Sequence, residues 1–182
     1  LAVLDDEARS VRVRSFAALA LGLLGDQRSA CTSAADRGGR REVREIWTRL
    51  RDRGAPDDLA VALAIALSLQ DPAAVPSGVL DALRGLAVSG RLDGHRRATA
   101  IQAQAVLSLA RLAPDGAEGV LLALLHSRSA DPRVRRAAIV AIGAAAPRIV
   151  GRAEAATALA RAAEAGSDPD LRGVMLLSVA RL

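Results

Sequence analysis

The sequence is poor in the residues from which most catalytic and metal-binding sites are built. Its 182 residues include one cysteine, two histidines, one tryptophan, one phenylalanine and no tyrosine. The single cysteine, Cys31, excludes an internal disulfide bond and a cysteine-based zinc site. Lysine is absent too, so all 25 basic residues are arginine. An alanine-rich composition in which arginine replaces lysine is typical of a GC-rich genome. The genome composition alone would explain the excess of basic over acidic residues, with no functional reason.

The few candidate catalytic residues have no matching partners in the sequence. His95 and His126 are predicted at a helix start and a helix end, and neither belongs to a motif with a nucleophile and a carboxylate. His126 also lacks a second ligand three or four residues away, as a helical metal site requires. Cys31 lies in the glycine- and serine-rich stretch 25–39, which we expect to be a loop. The sequence therefore predicts a protein that is not an enzyme and uses no metal or cofactor.

Long hydrophobic runs are missing as well. Hydrophobic residues make up 51% of the chain, but the longest apolar runs, 59–69 and 137–146, are shorter than the ~18 residues that span a membrane. No signal peptide is visible, so a cytoplasmic location is favoured, although the sequence leaves the compartment open. Both ends of the chain lie inside apolar patterns, whereas a terminal repeat should have a polar outer face. We therefore expect a longer bacterial protein that continues at one end or both.

What the sequence does contain is a repeated motif. Asp131-Pro132-Arg133-Val134-Arg135 begins an apolar helix that continues to Gly143, and four related segments can be aligned with it. We name each row of this alignment after its residue in the fourth copy. Three rows are aliphatic in all copies, which predicts that they are buried. They are the Val134 row (Val13, Leu59, Ile101, Val134, Leu171), the Val140 row (Leu19, Ile65, Leu107, Val140, Leu177) and the Ile142 row (Leu21, Leu67, Leu109, Ile142, Val179).

Two further rows contain only small residues. A position that stays small in otherwise divergent copies indicates that a neighbouring backbone passes close to it. A larger side chain would overpack such a site, at a typical cost of ~1–3 kcal/mol. The two rows are the Ala141 row (Ala20, Ala66, Ser108, Ala141, Ser178) and the Gly143 row (Gly22, Ser68, Ala110, Gly143, Ala180).

The motif resembles the second helix of a HEAT repeat. Asp131-Pro132-Arg133-Val134-Arg135 followed by Ala141-Ile142-Gly143 carries the resemblance, and Val13-Arg14 with Ala20-Leu21-Gly22 is similar. HEAT and armadillo repeats have two or three helices in about 40 residues. The resemblance implies an all-α fold, a right-handed α-solenoid of about five HEAT-like helix pairs in one array over 1–182. The units are expected at roughly 1–25, 26–71, 72–113, 114–147 and 148–182.

Three helices in this scheme carry specific expectations. Residues 7–24 are predicted to form one long helix with Phe16 in its core. Residues 40–53 form an amphipathic helix with Trp47 on its apolar stripe. A turn at 90–94 is followed by a helix over 95–112, and the segment Pro114-Asp115-Gly116 is read as a break between helices.

The resemblance also assigns a structural role to some arginines. In HEAT-like repeats the arginine after the aliphatic residue commonly pairs with a loop aspartate, and successive pairs form a ladder between units. Arg14, Arg135 and Arg172 occupy the arginine position here, and Asp131 and Asp168 occupy the aspartate position. For these arginines the structural role is preferred over ligand binding.

Other arginines are candidates for binding a partner. Arg96 and Arg97 form one pair, Arg133 and Arg136 another, and Trp47 could add an aromatic contact because tryptophan is enriched at binding hot spots. A nucleic-acid track would need arginines repeated along one face. The Arg133 row does not provide them, since it reads Arg12, Asp58, Ala100, Arg133 and Asp170.

The leading hypothesis is therefore a non-enzymatic scaffold that binds an unidentified protein partner on the concave face formed by the second helices. The alternative is binding of nucleic acid or an acidic partner through the arginine clusters, with affinity that falls steeply as salt rises. A regulatory part of a larger enzyme is the third possibility. No membrane partner is expected.

Overall fold

The computed structural model describes residues 2–31, 38–127, 129–145, 151–165 and 169–180, with the side chains of 26–31, 38–40, 114, 165, 170 and 171 left aside. In these residues the chain is all-α apart from one short hairpin and a 3₁₀ turn at Pro72–Ala74. The elements are α1 (Ala2–Asp5), α2 (Val11–Cys31), α3 (Gly38–Arg51), α4 (Asp57–Ser68), α5 (Ser77–Ser89), β1 (Arg91–Leu92), β2 (His95–Arg96), α6 (Thr99–Leu112), α7 (Pro114–His126), α8 (Pro132–Ala145), α9 (Arg152–Ala165) and α10 (Pro169–Val179).

The helices pack in pairs, in chain order. We call α1, α3, α5, α7 and α9 the first helices and α2, α4, α6, α8 and α10 the second helices. Each first helix packs against the second helix that follows it. Each second helix packs against the next second helix, from α2 through α10. Among the first helices, α5 contacts α7 and α7 contacts α9. The all-α class and the pairing of helices expected from the sequence are therefore present.

Helix starts follow the local chemistry of proline and aspartate. The Asp131 carboxylate accepts the backbone N–H of Arg133 at 2.8 Å, which satisfies one of the unpaired donors at the start of α8. Proline is the first residue of α7, α8 and α10, where its missing N–H costs least. The expected break at Pro114-Asp115-Gly116 is thus wrong, because these residues already form the first turn of α7.

The β-hairpin between α5 and α6 also differs from the expectation. Arg91 pairs with Arg96 and Leu92 with His95 in an antiparallel ladder. The two residues between them, Asp93 and Gly94, have φ values of 50° and 78°. A two-residue loop with both φ values positive matches the right-handed twist of a hairpin, and Asp-Gly is a favoured sequence for it. The helix predicted to start at residue 95 therefore begins only at Thr99.

Close packing of the second helices occurs at the two small rows. A Cβ placed on Gly22 would lie 2.6 Å from the Cα of Ala66, so α2 and α4 touch through their backbones. A Cβ placed on Gly143 would lie 2.8 Å from the Cβ of Ser178, so α8 and α10 meet in the same way. Each contact joins the Gly143 row of one helix to the Ala141 row of the next. The expected close approach at the small rows is confirmed at these two junctions.

Serines in the Ala141 row add a second repeated contact. The Ser108 hydroxyl donates to the carbonyl of Ala64 at 3.0 Å, from α6 to α4. The Ser178 hydroxyl donates to the carbonyl of Ile139 at 3.3 Å, from α10 to α8. Ala64 and Ile139 are in the same row of the alignment, so both junctions use the same pair of positions. Equivalent positions of the sequence alignment therefore make equivalent contacts at these two junctions.

Two features of α2 contradict the sequence-based expectations. Phe16, expected in the core, is 64% exposed. The helix also continues to Cys31, which lies at its end, and α3 already begins at Gly38. The expected loop at 25–39 is therefore wrong at 25–31 and at 38–39, and its residues 32–37 lie outside the described residues. Within the described residues, no second helix packs against the side of α2 that carries Phe16. In the later second helices the corresponding side packs against the preceding one.

Candidate partner-binding face

One side of the second helices is not covered by the first helices. It carries the Val140 row, which was expected to be buried. Leu19, Ile65 and Leu107 are half-buried, and Val140 and Leu177 are exposed. We call these five residues the open face. Since each helical residue turns the chain by roughly 100°, a position two residues away points to nearly the opposite side. The Val140 and Ile142 rows therefore cannot both face the first helices, and Leu67, Leu109 and Ile142 are the buried ones.

A groove of about 500 Å³ lies next to the open face between α4, α6 and α8. Leu69 and Leu107 form apolar walls, and Ala141 and Ala144 line the α8 side. The small side chains of α8 leave room for an inserted side chain from another molecule. Arg111 is the charged residue of the lining. A concave, mostly apolar site of this volume with a single charged group is typical of a site for an apolar segment or ligand.

The first two helix pairs are tied together by an ionic contact around Arg49. Its guanidinium contacts the Asp5 carboxylate at 2.7 Å and the Glu45 carboxylate at 2.6 Å. The hydrogen bond from Arg49 holds the pKa of Asp5 below its ordinary value, and the same bond raises the pKa of Arg49. Asp5 is the last residue of α1, so this pair connects α1 to α3. It serves the structure, because both acids are already engaged.

Arg14, Arg135 and Asp131 of the expected arginine ladder have other partners in the structure. Arg14 donates to the carbonyl of Leu4 at 2.8 Å. Arg135 donates to the carbonyl of Ala130 at 3.5 Å, and its buried Nε has no hydrogen-bond partner in the described residues. Asp131 caps α8 as described above. Arg172 is exposed in the first turn of α10. Asp168 lies outside the described residues, so the ladder between units stays a prediction.

Arg96 and Arg97 lie beside the end of α3. Arg96 is exposed on β2, and Arg97 donates to the carbonyl of Asp52 at 3.1 Å. Arg51 contacts the Asp93 carboxylate in the hairpin at 2.6 Å, which raises the pKa of Arg51. We call Arg51, Arg91, Arg96 and Arg97 the hairpin arginine group. The contacts with α3 come from the chain reversal at the hairpin, which sequence reasoning did not find although Asp93-Gly94 signals it.

The other predicted binding residues lie elsewhere. Arg133 and Arg136 are exposed near the start of α8, so they belong to a different element from Arg96 and Arg97. Trp47 is half-buried in α3 and packs against the core cluster formed by α1 to α6. That position supports a structural role for Trp47.

The histidines and acidic residues form no recognisable chemical centre in the described part of the chain. His95 is exposed on β2, and the His126 Nδ1 lies 2.9 Å from the carbonyl of Leu122, one turn earlier in its own helix. Among the residues that the structure describes, no group of three or more His, Cys, Asp or Glu side chains could hold a metal ion. Within the same residues no helix combines the length and the hydropathy needed to cross a membrane.

Comparison with known protein families, curated proteins and solved structures finds no match to this chain.

Proposed function

We propose that this chain is a right-handed α-solenoid of HEAT-like repeats and acts as a scaffold that holds a protein partner on its open face. The observation that carries the proposal is the open face, an aliphatic row that is half-buried in α2, α4 and α6 and exposed at Val140 and Leu177. Supporting it are the sequential packing of the second helices and the groove beside Leu107. Such an array has a long surface on which one partner can contact several units at once.

The spacing of the open face indicates what could bind there. Packed helices lie ~8–10 Å apart. A segment that crosses the second helices therefore meets one aliphatic side chain of the open face on each helix, at about that spacing. Seven residues of an α-helix rise roughly 10.5 Å. A partner helix with an apolar residue at every seventh position would therefore match the row, in the manner of an amphipathic helix in a groove. Its bulkiest side chain would enter the groove between α6 and α8.

Site-specific photo-crosslinking tests the proposal. A benzophenone side chain at Val140 should capture the partner in native lysate, both after nuclease treatment and at high salt. The same side chain at Val88, an exposed apolar residue on the first helix α5, is the matched control and should not capture it. Val140→Glu and Ala144→Arg should abolish capture from a probe at Leu107. Equal capture from Val88, or a turnover that requires His95 or His126, would contradict the scaffold.

The hairpin arginine group supports a second candidate function. Arg91, Arg96 and Arg97 lie in the hairpin or directly after it, and Arg51 contacts the hairpin through Asp93. Such a cluster could bind phosphates or an acidic partner, with an affinity that decreases steeply with salt. Titration of a labelled DNA duplex at low and high salt tests this function. Replacing Arg96 and Arg97 with alanine should weaken salt-sensitive binding more than replacing Arg133 and Arg136 does, if the hairpin is the site.

A further inference from the structure

The part of the open face on α6 and α8 has an apolar centre with an arginine beside each of its two residues. Leu107 and Val140 form this centre. Arg111 follows Leu107 by four residues, Arg136 precedes Val140 by four, and both arginines are exposed. Since residues four apart in a helix lie on the same face, each arginine lies next to the apolar centre on the open side of its helix.

The two arginines lie on opposite sides of the apolar centre. The last two turns of both helices line the groove, at Leu107, Ala110 and Arg111 of α6 and at Ala141, Ala144 and Ala145 of α8. Because these ends meet there, α6 and α8 run in the same direction. Arg111 therefore lies towards the C-terminal ends of the two helices, and Arg136 lies towards their N-terminal ends. A segment that crosses both helices over Leu107 and Val140 passes between the two guanidinium groups.

The charge on these two helices is entirely positive. The sequences of α6 and α8 contain four arginines and no aspartate or glutamate. Asp131, immediately before α8, accepts a backbone N–H of the first turn. The acidic residues of α4, Asp57 and Asp58, lie in its first turn, whereas the opposite end of α4 lines the groove at Leu69. A ligand that covers the apolar centre therefore meets a cation on each side and no carboxylate on either helix.

We propose that the partner held on the open face is an acidic amphipathic helix, with carboxylates on both flanks of its apolar stripe. The inference rests on the proposed scaffold function and names the chemical class of its partner. Complementary charge orients a partner at an interface and excludes partners of the wrong sign. Arginine has five N–H donors in a fork that matches a carboxylate, so Arg111 and Arg136 can each bind one and keep their contacts within the chain.

The positions of the partner's carboxylates follow from helix geometry. In an α-helix the third residue after an apolar one points roughly 60° to one side of it, and the fourth points roughly 40° to the other side. With an apolar residue at every seventh position, acidic residues at these third and fourth positions flank the stripe. They would face Arg111 on one side and Arg136 on the other.

Three labelled peptides test the proposal by fluorescence anisotropy with the intact chain. All are alanine-rich helical peptides with leucine at every seventh position, and they differ only at the third and fourth residues after each leucine. These residues are glutamate in the Glu peptide, glutamine in the Gln peptide and lysine in the Lys peptide. The Glu peptide should bind roughly tenfold tighter than the Gln peptide, as two exposed ion pairs allow. The Lys peptide should bind most weakly, and the differences should shrink as salt rises.

Charge reversal identifies the arginines that select the peptide. Arg111→Glu combined with Arg136→Glu should reverse the order, so that the Lys peptide binds tightest. The milder Arg111→Gln with Arg136→Gln should remove the preference for the Glu peptide over the Gln peptide. Arg53→Glu with Arg96→Glu makes the same charge change at two exposed arginines outside α6 and α8 and should keep the original order. Circular dichroism checks that all three double variants fold.

Failure of the inference and failure of the scaffold function give different results. Equal binding of the three peptides, all of it lost in Val140→Gln, overturns the inference and leaves the scaffold standing. Binding of the Glu peptide that is unchanged in Val140→Gln contradicts the open face itself. Loss of the preference in the Arg53 and Arg96 control would assign acidic ligands to the hairpin arginine group and overturn the inference. No binding of the Glu peptide also overturns it, and crosslinking at Val140 then tests the scaffold independently.

Discussion

The centre and the ends of this array differ in burial although their sequences follow the same pattern. Ile139 in α8 is fully buried and Leu176, in the same row of α10, is mostly exposed. Val134 and Val13 differ in the same way, with an identical residue at both positions. The difference shows that burial in a stacked array is conferred by the neighbouring unit, since each unit contacts only its neighbours. Substitutions at equivalent positions should therefore change the free energy of unfolding by unequal amounts.

The largest difference is expected for large-to-small substitutions. Leu109→Ala and Ile142→Ala remove side chains that are essentially inaccessible to solvent and should each cost roughly 2–5 kcal/mol of stability. Leu176→Ala changes an exposed side chain and should cost about 0.5 kcal/mol or less. Urea unfolding followed by circular dichroism measures both. Equal losses at Ile142 and Leu176 would contradict the distinction between centre and end.

Glycine substitutions test the close approach of the second helices. Gly22→Ala should cost ~1–3 kcal/mol, because the new Cβ would lie too close to the backbone of Ala66. Gly85, on α5, has open space at its Cβ position, and Gly85→Ala should stabilise the chain by about 0.5–1 kcal/mol through better helix propensity. Opposite shifts in the unfolding midpoint are the expected result. A shift of the same sign in both variants would remove the argument for backbone contact.

Serine substitutions separate a central junction from a terminal one. Ser108 is fully buried and can donate its proton either to Ala64 in α4 or to Gln104 in its own helix. Ser108→Ala should cost ~0.5–1.5 kcal/mol, as the loss of a buried hydrogen bond does. Ser178→Ala should cost less, because its 3.3 Å hydrogen bond to Ile139 is long and joins the last helix. A larger loss at Ser178 than at Ser108 would reverse this order.

The smallest effect is expected at the Asp5–Arg49 ion pair. Because Arg49 lowers the folded-state pKa of Asp5, the pair stabilises the fold above the unfolded pKa of about 3.9. That stability is lost as pH falls through the lower folded-state pKa. The Asp5 side chain is 56% exposed, so the contribution should be below about 1 kcal/mol.

The ion pair is tested by measuring the free energy of unfolding between about pH 5 and about pH 2, a range that brackets this pKa. Asp5→Asn should slightly reduce the loss of unfolding free energy that occurs as the pH falls, which is the acid limb of the stability curve. Asp81→Asn removes an exposed carboxylate that pairs with Arg84 in its own helix, and it serves as the control. Trp47, which is on α3 like Arg49, packs against the α1–α6 cluster, so its fluorescence reports on the unfolding of that cluster. An unchanged acid limb in the Asp5 variant would show that the contact contributes nothing measurable.

Much of the fold was predictable from the sequence, whereas most of the candidate site was not. The helix pairs follow from helical periodicity, and the small rows follow from the cost of overpacking where a neighbouring helix lies close, as at Gly22 and Gly143. The open face was missed because the Val140 row is as aliphatic as the buried rows. The two-residue offset from Ile142 was a signal that could have identified it, since the two positions point to opposite sides of the helix.

The sequence by itself determined the all-α class, the pairing of helices and the rows at which backbones approach. These properties depend on the local preferences of the chain and on side-chain size. Only the tertiary structure decided which aliphatic side chains are covered, because the same residue type is buried at Val134 and exposed at Val13. It also decided that Gln70 lies buried and donates to the carbonyls of Gly22 and Ala66. Such contacts arise between residues distant in the chain, so a periodic pattern cannot reveal them.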